Sequence, residues 1–375
     1  MLKLSTKGTI TFISILAQAI VVPILEAFVV YYHVSFVNQF TLDSVGIGIS
    51  EADLIYHAIF ILSLFFQVFL AADALWRRNT VQVIGLGVFN FLSLAYAGIQ
   101  LYQHQILEDQ GTATAIYAPK DPRFPFNNKD APKIYYEGKM RPIEHSIIAI
   151  MACFSVYLAI ISYLLSKEFG WENYKTYSAD IKVRDAYMNL TILQTLIKLD
   201  TFFIGSYALQ LIPSKNMGYA TEILSLIEVV LVFVFGTAML VMAWFSVVKE
   251  MKYVLLSVIN IYTLSLIYWI WRLIAVNIIP NNQSSDPYLF TRRFLTFFLT
   301  TIIALVIITI IYSIICFRNM KRGTYVLTVF GQSEKKIDSN NLDYLDPSSA
   351  RSKRQSAIHQ QRLRAQERES RIILD

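Results

Sequence analysis

Five histidines, His33, His57, His104, His145 and His359, carry the side chains best suited to moving protons near neutral pH or binding a metal. They fall in different segments, and none forms the H-x-x-H or H-x-x-x-H box with which one helix gathers imidazoles on iron. Cys153 and Cys316 stand alone in apolar runs, so neither a cysteine-based zinc site nor a disulfide framework is expected. No G-x-S-x-G or P-loop sequence occurs, and Gly85-Leu-Gly87 lies inside an apolar run, where close helix packing is its expected use. These motifs assign no catalytic residue, no metal and no cofactor. What remains is a set of ionisable residues inside long apolar runs: Glu26, Lys198, Asp200, Glu228 and Arg272. A charge at mid-bilayer costs roughly 2.5–3.5 kcal/mol on insertion scales, so such residues need partners and mark either a pathway or a buried packing network. Asp53, Asp73 and Glu222 lie nearer run ends and are expected to reach water, while His57 and His145 could join a relay.

The element that must position two of these charges is Asn189–Ile212, NLTILQTLIKLDTFFIGSYALQLI. Lys198 and Asp200 are two apart, which on a helix turns them about 200° from each other. Each therefore needs a different neighbour, and the segment is expected inside a helix bundle. Counting rise along the runs sets all five charges at similar depth, which makes Glu228 the expected partner of Lys198. On the same count Arg272 partners Asp200, with Glu26 competing for the cation.

Composition gives the environment. Hydrophobic residues make up 55% of the 375 and charged residues 16%, well below the roughly 25% of soluble chains. With a mean hydropathy of +0.46, the chain is expected to be an all-α, polytopic membrane helix bundle in a lipid bilayer. Eight spans are read, at about 9–37, 53–75, 81–102, 145–166, 188–212, 221–248, 253–278 and 294–317. The first is no cleavable signal, because it is too long and holds Glu26. Tyr31, Tyr32 and His33 at its end resemble an interfacial belt. Lys3, Lys7, Arg77, Arg78, Lys167, Lys249, Lys252, Arg318, Lys321 and Arg322 all fall on one side of this threading, which predicts that both termini are cytosolic. The formal charge of +6 thus reports topology and not nucleic-acid binding.

Between the spans, residues 1–8 are a cytosolic N-terminus and residues 104–144 form a long luminal loop rich in proline and aromatic residues. Residues 168–187 alternate apolar and basic side chains at helical spacing and are expected to be an amphipathic helix on the cytosolic surface. Asn282-Gln283-Ser284 is a glycosylation acceptor in a luminal loop. Residues 318–375 form a basic, largely disordered cytosolic tail, in which Arg362 and Arg364 resemble a sorting signal read by coat proteins.

Several stretches carry a resemblance: Gln18–Val22 with Leu25–Ala27, Ala72–Leu75 with Asn79–Leu86, Ser178–Asp180, and Lys198-x-Asp200 followed by Phe202-Phe203. In these residues, and over roughly 10–320, the chain resembles an uncharacterised fungal family of multi-pass Golgi apparatus membrane proteins. The resemblance implies Golgi residence and a multi-pass topology, and no activity. The function expected is non-enzymatic, either small-solute or ion transport or a scaffold in membrane traffic. The rival is a membrane-embedded lipid-modifying enzyme with an acid–base site built from Glu26, Asp200 and His57. The two separate cleanly: transport needs a water-accessible cavity at Asp200, whereas an enzyme needs histidine and carboxylate convergent within hydrogen-bond reach.

Overall fold

The computed structural model describes residues 5–38, 40–42, 44–110, 117–119, 131–176, 181–212, 222–278, 288 and 291–322. They belong to one compact unit, Met1–Arg322; of the tail expected over 318–375, residues 318–321 belong to the last helix, and 323–375, with Arg362 and Arg364, lies outside the described residues, as does Asn282. Nine helices are described: α1 (Thr6–Val37), α2 (Ser44–Trp76), α3 (Thr80–Gln110), α4 (Ala131–Lys139), α5 (Arg141–Thr176), α6 (Ile181–Gln210), α7 (Glu222–Val248), α8 (Lys252–Asn277) and α9 (Arg292–Lys321). Two three-residue strands, β1 (Phe40–Leu42) and β2 (Tyr117–Pro119), pair antiparallel with Thr41 opposite Ala118.

Seven of these helices are long and apolar enough to cross a membrane: α1, α2 from Ser50, α3 to Gln105, α5 to Gly170, α7 from Ile227, α8 and α9. With α6 they make the expected bundle of about eight. Lys198, Asp200 and several polar residues lower the apolar character of α6, and its position explains how it tolerates them. Leu190, Leu193, Ile197, Leu199, Phe203, Ile204, Tyr207 and Ala208 are all buried, so α6 meets protein where its neighbours meet lipid. The outer faces of the other helices are apolar, as with Ile13, Ile20, Ile24 and Phe28 of α1 and Phe233 and Phe235 of α7, and these suit a bilayer.

The packing resolves into two four-helix rings. In the first, α1 packs on α2, α2 on α3, α3 on α5 and α5 back on α1; in the second, α6 packs on α7, α7 on α8, α8 on α9 and α9 on α6. Contacts from α2 and α3 to α6, and from α3 to α9, join the rings. The seam is aromatic: Phe66, Phe89, Phe202, Phe203, Tyr96 and Phe298 pack, mostly edge to face, with ring centroids 5.0–6.1 Å apart. Gly85 lets α3 approach α6 there, since a Cβ at that position would sit 2.8 Å from Thr195 Cγ2.

Tight turns fix the up-and-down threading. After α2 and after α7 the chain reverses through Arg78 (φ 49°) and Glu250 (φ 48°), both left-handed. In each turn an N–H reaches back five residues, from Asn79 to Ala74 O at 2.9 Å and from Met251 to Ser246 O at 3.0 Å, which satisfies the last helical carbonyls. Asn79 then caps α3 by accepting from the Val81 N–H at 3.0 Å. Two expectations change here. The segment 168–187 is no separate amphipathic helix: through Thr176 it continues α5 and from Ile181 it begins α6, because helical residues run on past both ends of the apolar stretch. The loop 104–144 is also shorter than expected, since α3 continues to Gln110 and α4 stands immediately before α5.

Candidate functional site

By the alternation of the first ring, the end of α1, the start of α2, the end of α3 and the start of α5 all lie at one end of the bundle. That end holds a cluster of ionisable side chains with almost no exposure: His33 of α1, Asp53 and His57 of α2, His104 of α3 and Glu144 of α5 are each 1–6% exposed. Asp53 is the hub. Its Oδ2 lies 3.3 Å from each of three imidazole nitrogens, His33 Nδ1, His57 Nε2 and His104 Nε2. The rings surround it with centroids 6.2 Å (His33 to His104), 5.3 Å (His57 to His104) and 6.3 Å (His33 to His57) apart.

Carboxylates also hold the far sides of two rings. Glu26, buried in α1 two turns before His33, places Oε1 2.6 Å from His57 Nδ1, and Gln100 Nε2 donates to the same oxygen at 2.5 Å. Glu144 meets His104 Nδ1. Glu26 and Gln100 together hold the Nδ1 side of His57, which turns Nε2 toward the centre. The sequence positions these groups by helical spacing. Val22, Glu26, Val29, His33 and Phe36 fall on the buried stripe of α1, and Asp53 and His57 are one turn apart on α2. Phe36 then packs on Tyr135 and Tyr136 of α4, at centroid distances of 5.4 and 4.8 Å, which puts α4 beside the cluster's end of α1.

Hydrogen bonding inside the cluster is incomplete. Neither ring nitrogen of His33 has a hydrogen-bond partner among the described residues, nor do Asp53 Oδ1 and His57 Nε2, whose distance to Asp53 lacks the direction of a bond. His33, Asp53 and His104 each offer a ligand atom within 4.8 Å of the other two, so these three could hold a metal ion. Deeper in the same ring the polar groups bond to one another. Gln67 Nε2 donates to Gln18 Oε1 and to Asn90 Oδ1, both at 3.1 Å, and Asn90 Nδ2 donates to Ser155 Oγ at 2.7 Å.

The five charges singled out by sequence do not form one network: only Glu228 and Arg272 meet. Glu26 joins the histidine cluster. Lys198 pairs with Asp73 of α2, not with Glu228, and Asp73 also takes Arg77 Nε at 2.8 Å. Asp200 turns to the second ring, where Tyr262 and Thr309 donate to its Oδ2 at 3.2 and 2.9 Å, and not to Arg272. Arg272 instead pairs with Glu228 at 3.0 Å and donates to Tyr207 and Tyr288. This pair borders an apolar groove of about 910 Å³ between α7 and α8, lined by Leu231, Phe235 and Trp271. Lys198 and Asp200 thus have different partners on different helices. Depth counting chose the wrong ones because it carries no information on which helix stands beside which face of α6. Asp53 and His33, expected in water and in an interfacial belt, are buried because all four helices of the ring close over that end. His145, a possible relay member, stays exposed with Nδ1 2.7 Å from its own helix's Arg141 O.

The cluster escaped a search for histidine boxes because its members come from four helices. The signal that finds it is the threading: in an up-and-down bundle, His33, Asp53, His104 and Glu144 all fall within a few turns of the same membrane face.

Over 271 residues, 71% of this chain and 75% of the other, the sequence is 21% identical to a Golgi apparatus membrane protein of Schizosaccharomyces pombe, named as belonging to the uncharacterised family UPF0658. The chain resembles that fungal Golgi membrane family. With the seven apolar helices, the match supports the coarse reading of a multi-pass protein of the Golgi membrane. No family model matches the chain, and no solved structure matches it.

Proposed function

We propose that the protein is a membrane-embedded enzyme of the Golgi that modifies a lipid by general acid–base chemistry. His57 exchanges the proton and Glu26 orients it. The observation that carries this reading is the 2.6 Å contact between Glu26 Oε1 and His57 Nδ1 within a buried cluster of further imidazoles and carboxylates. Histidine and carboxylate within hydrogen-bond reach is the arrangement an acid–base site needs. His57 Nε2, facing Asp53, can accept a proton from an attacking water and return it to a leaving group while Glu26 holds the ring. A lipid is the substrate class that suits the position: the cluster lies at the end of the spans, and α1, which carries Glu26 and His33 inward, turns Ile24, Phe28 and Tyr31 outward.

Transport through α6 has less support, because Asp200 is 1% exposed and held by Tyr262 and Thr309. A carrier that uses the histidine cluster as a proton relay is the second reading, favoured by the several ionisable groups in contact inside the membrane unit. A traffic scaffold would act through the tail, with coat proteins reading Arg362 and Arg364 outside the described residues. In all three, the basic residues at the end opposite the cluster (Arg77, Arg78, Lys249, Lys252, Arg318) support cytosolic termini and a cluster facing the lumen.

The test is the lipid composition of Golgi membranes from cells lacking the chain and from cells given back the wild type or His57→Ala at equal abundance. At least one lipid class should change on loss and be restored by the wild type alone. Full restoration by His57→Ala, or no change in any class, would overturn the acid–base reading.

A further inference from the structure

We propose that His33, Asp53 and His104 bind a divalent transition metal, zinc foremost, at the cluster end of the first helical ring. Three observations converge. The ligand atoms, from three different helices, already lie within 4.8 Å of one another. A single carboxylate oxygen sits 3.3 Å from three imidazole nitrogens, a crowding of electron-pair donors that suits a cation at the centre better than Asp53 alone. Both nitrogens of His33 and Asp53 Oδ1 are buried without a hydrogen bond among the described residues, and polar atoms in that state are costly unless something coordinates them.

The surroundings have the form of a metal site's supporting layer. A metal-bound imidazole commonly donates its other N–H to a carboxylate, which fixes the tautomer and raises the ligand's basicity. Glu144 stands in that relation to His104. Imidazole with carboxylate is a borderline donor set that suits zinc and its neighbours, not calcium or magnesium, which prefer all-oxygen shells. Two histidines and one carboxylate leave a coordination position open, as catalytic zinc sites do and structural ones do not. His57 is outside the ligand set but one turn from Asp53 on α2, so a group at the open position would lie beside the acid–base residue. The inference goes beyond the acid–base reading, because bound metal is measurable whether or not any lipid is turned over.

The experiment uses the full chain, purified in detergent through a tag without histidines and without chelator. Elemental analysis should find one zinc per chain. His33→Ala and Asp53→Ala should each lose it, while His145→Ala keeps it. Where the ligand variants fail to fold, X-ray absorption at the zinc edge of the wild type decides, with imidazole nitrogens expected at about 2.0–2.1 Å and no sulfur shell. The proposal is overturned if the wild type carries no zinc as isolated and takes up none when zinc is added. It is overturned equally if folded ligand variants retain the metal, or if the absorption spectrum shows no imidazole scattering.

Discussion

Lys198→Met is expected to destabilise the protein by about 3–5 kcal/mol, the range for removing one partner of a buried ion pair. Lys198 is 8% exposed and reaches Asp73 across the contact between α6 and α2. Taking the ammonium away leaves the half-buried Asp73 carboxylate with Arg77 as its remaining cation at 2.8 Å. Arg77 is more than half exposed and can turn to water, so it compensates little. Lys198→Met combined with Asp73→Leu should recover most of the loss, since the desolvation cost of both charges disappears with the pair. The same Lys198→Met combined with Glu228→Gln should be additive, because Glu228 belongs to Arg272 in the other part of the second ring. Denaturant or thermal unfolding in detergent provides the three values. A recovery with Glu228→Gln and none with Asp73→Leu would mean that α6 sits in the bundle with a different face toward α2.

The second large effect concerns turnover. With the lipid class identified by the membrane comparison, purified His57→Ala should turn it over roughly 10²–10⁴-fold more slowly than the wild type, the usual contribution of a positioned acid–base group. Glu26→Gln should fall between the two, because an amide in place of the carboxylate can still hold the ring through its oxygen but no longer supports a charged imidazole. Neither change should alter the affinity for substrate as much as the rate, since both residues act on the proton and not on the acyl chains. A His57→Ala rate within about tenfold of the wild type, at equal folded protein, would remove His57 from the proton step.

Much of the architecture is legible in the sequence for a plain physical reason. A bilayer demands runs of about 20 apolar residues, so the spans declare themselves, and each run coincides with one long helix, although α2, α3, α5 and α6 continue well beyond theirs. The interior position of α6 also follows from the sequence, because Lys198 and Asp200 on opposite faces cannot both be satisfied at an edge. What hydropathy lacks is azimuth. It placed Lys198, Asp200, Glu228 and Arg272 at similar depth, yet pairing depended on α2 standing beside one face of α6 while α8 and α9 stand at the other. The functional cluster was hidden for a related reason. His33, Asp53 and His104 look like residues near span ends, where water would be expected. Their burial appears only when the four helices of the first ring are closed and the buried stripe of α1 faces α2 and α3.

The convergence of those helix ends around Asp53 is the claim on which the rest depends, and a crosslink tests it most directly. In a chain with Cys153 and Cys316 replaced by alanine, His33→Cys and His104→Cys are introduced together and treated in membranes with a short bifunctional thiol reagent. The rings of His33 and His104 stack 6.2 Å apart, so mass spectrometry should recover α1 and α3 peptides joined in high yield. The pair His33→Cys with His145→Cys, whose second position is exposed away from the cluster, should link poorly. Equal or lower yield for the first pair would contradict the cluster, and with it both the acid–base site and the metal site built on it.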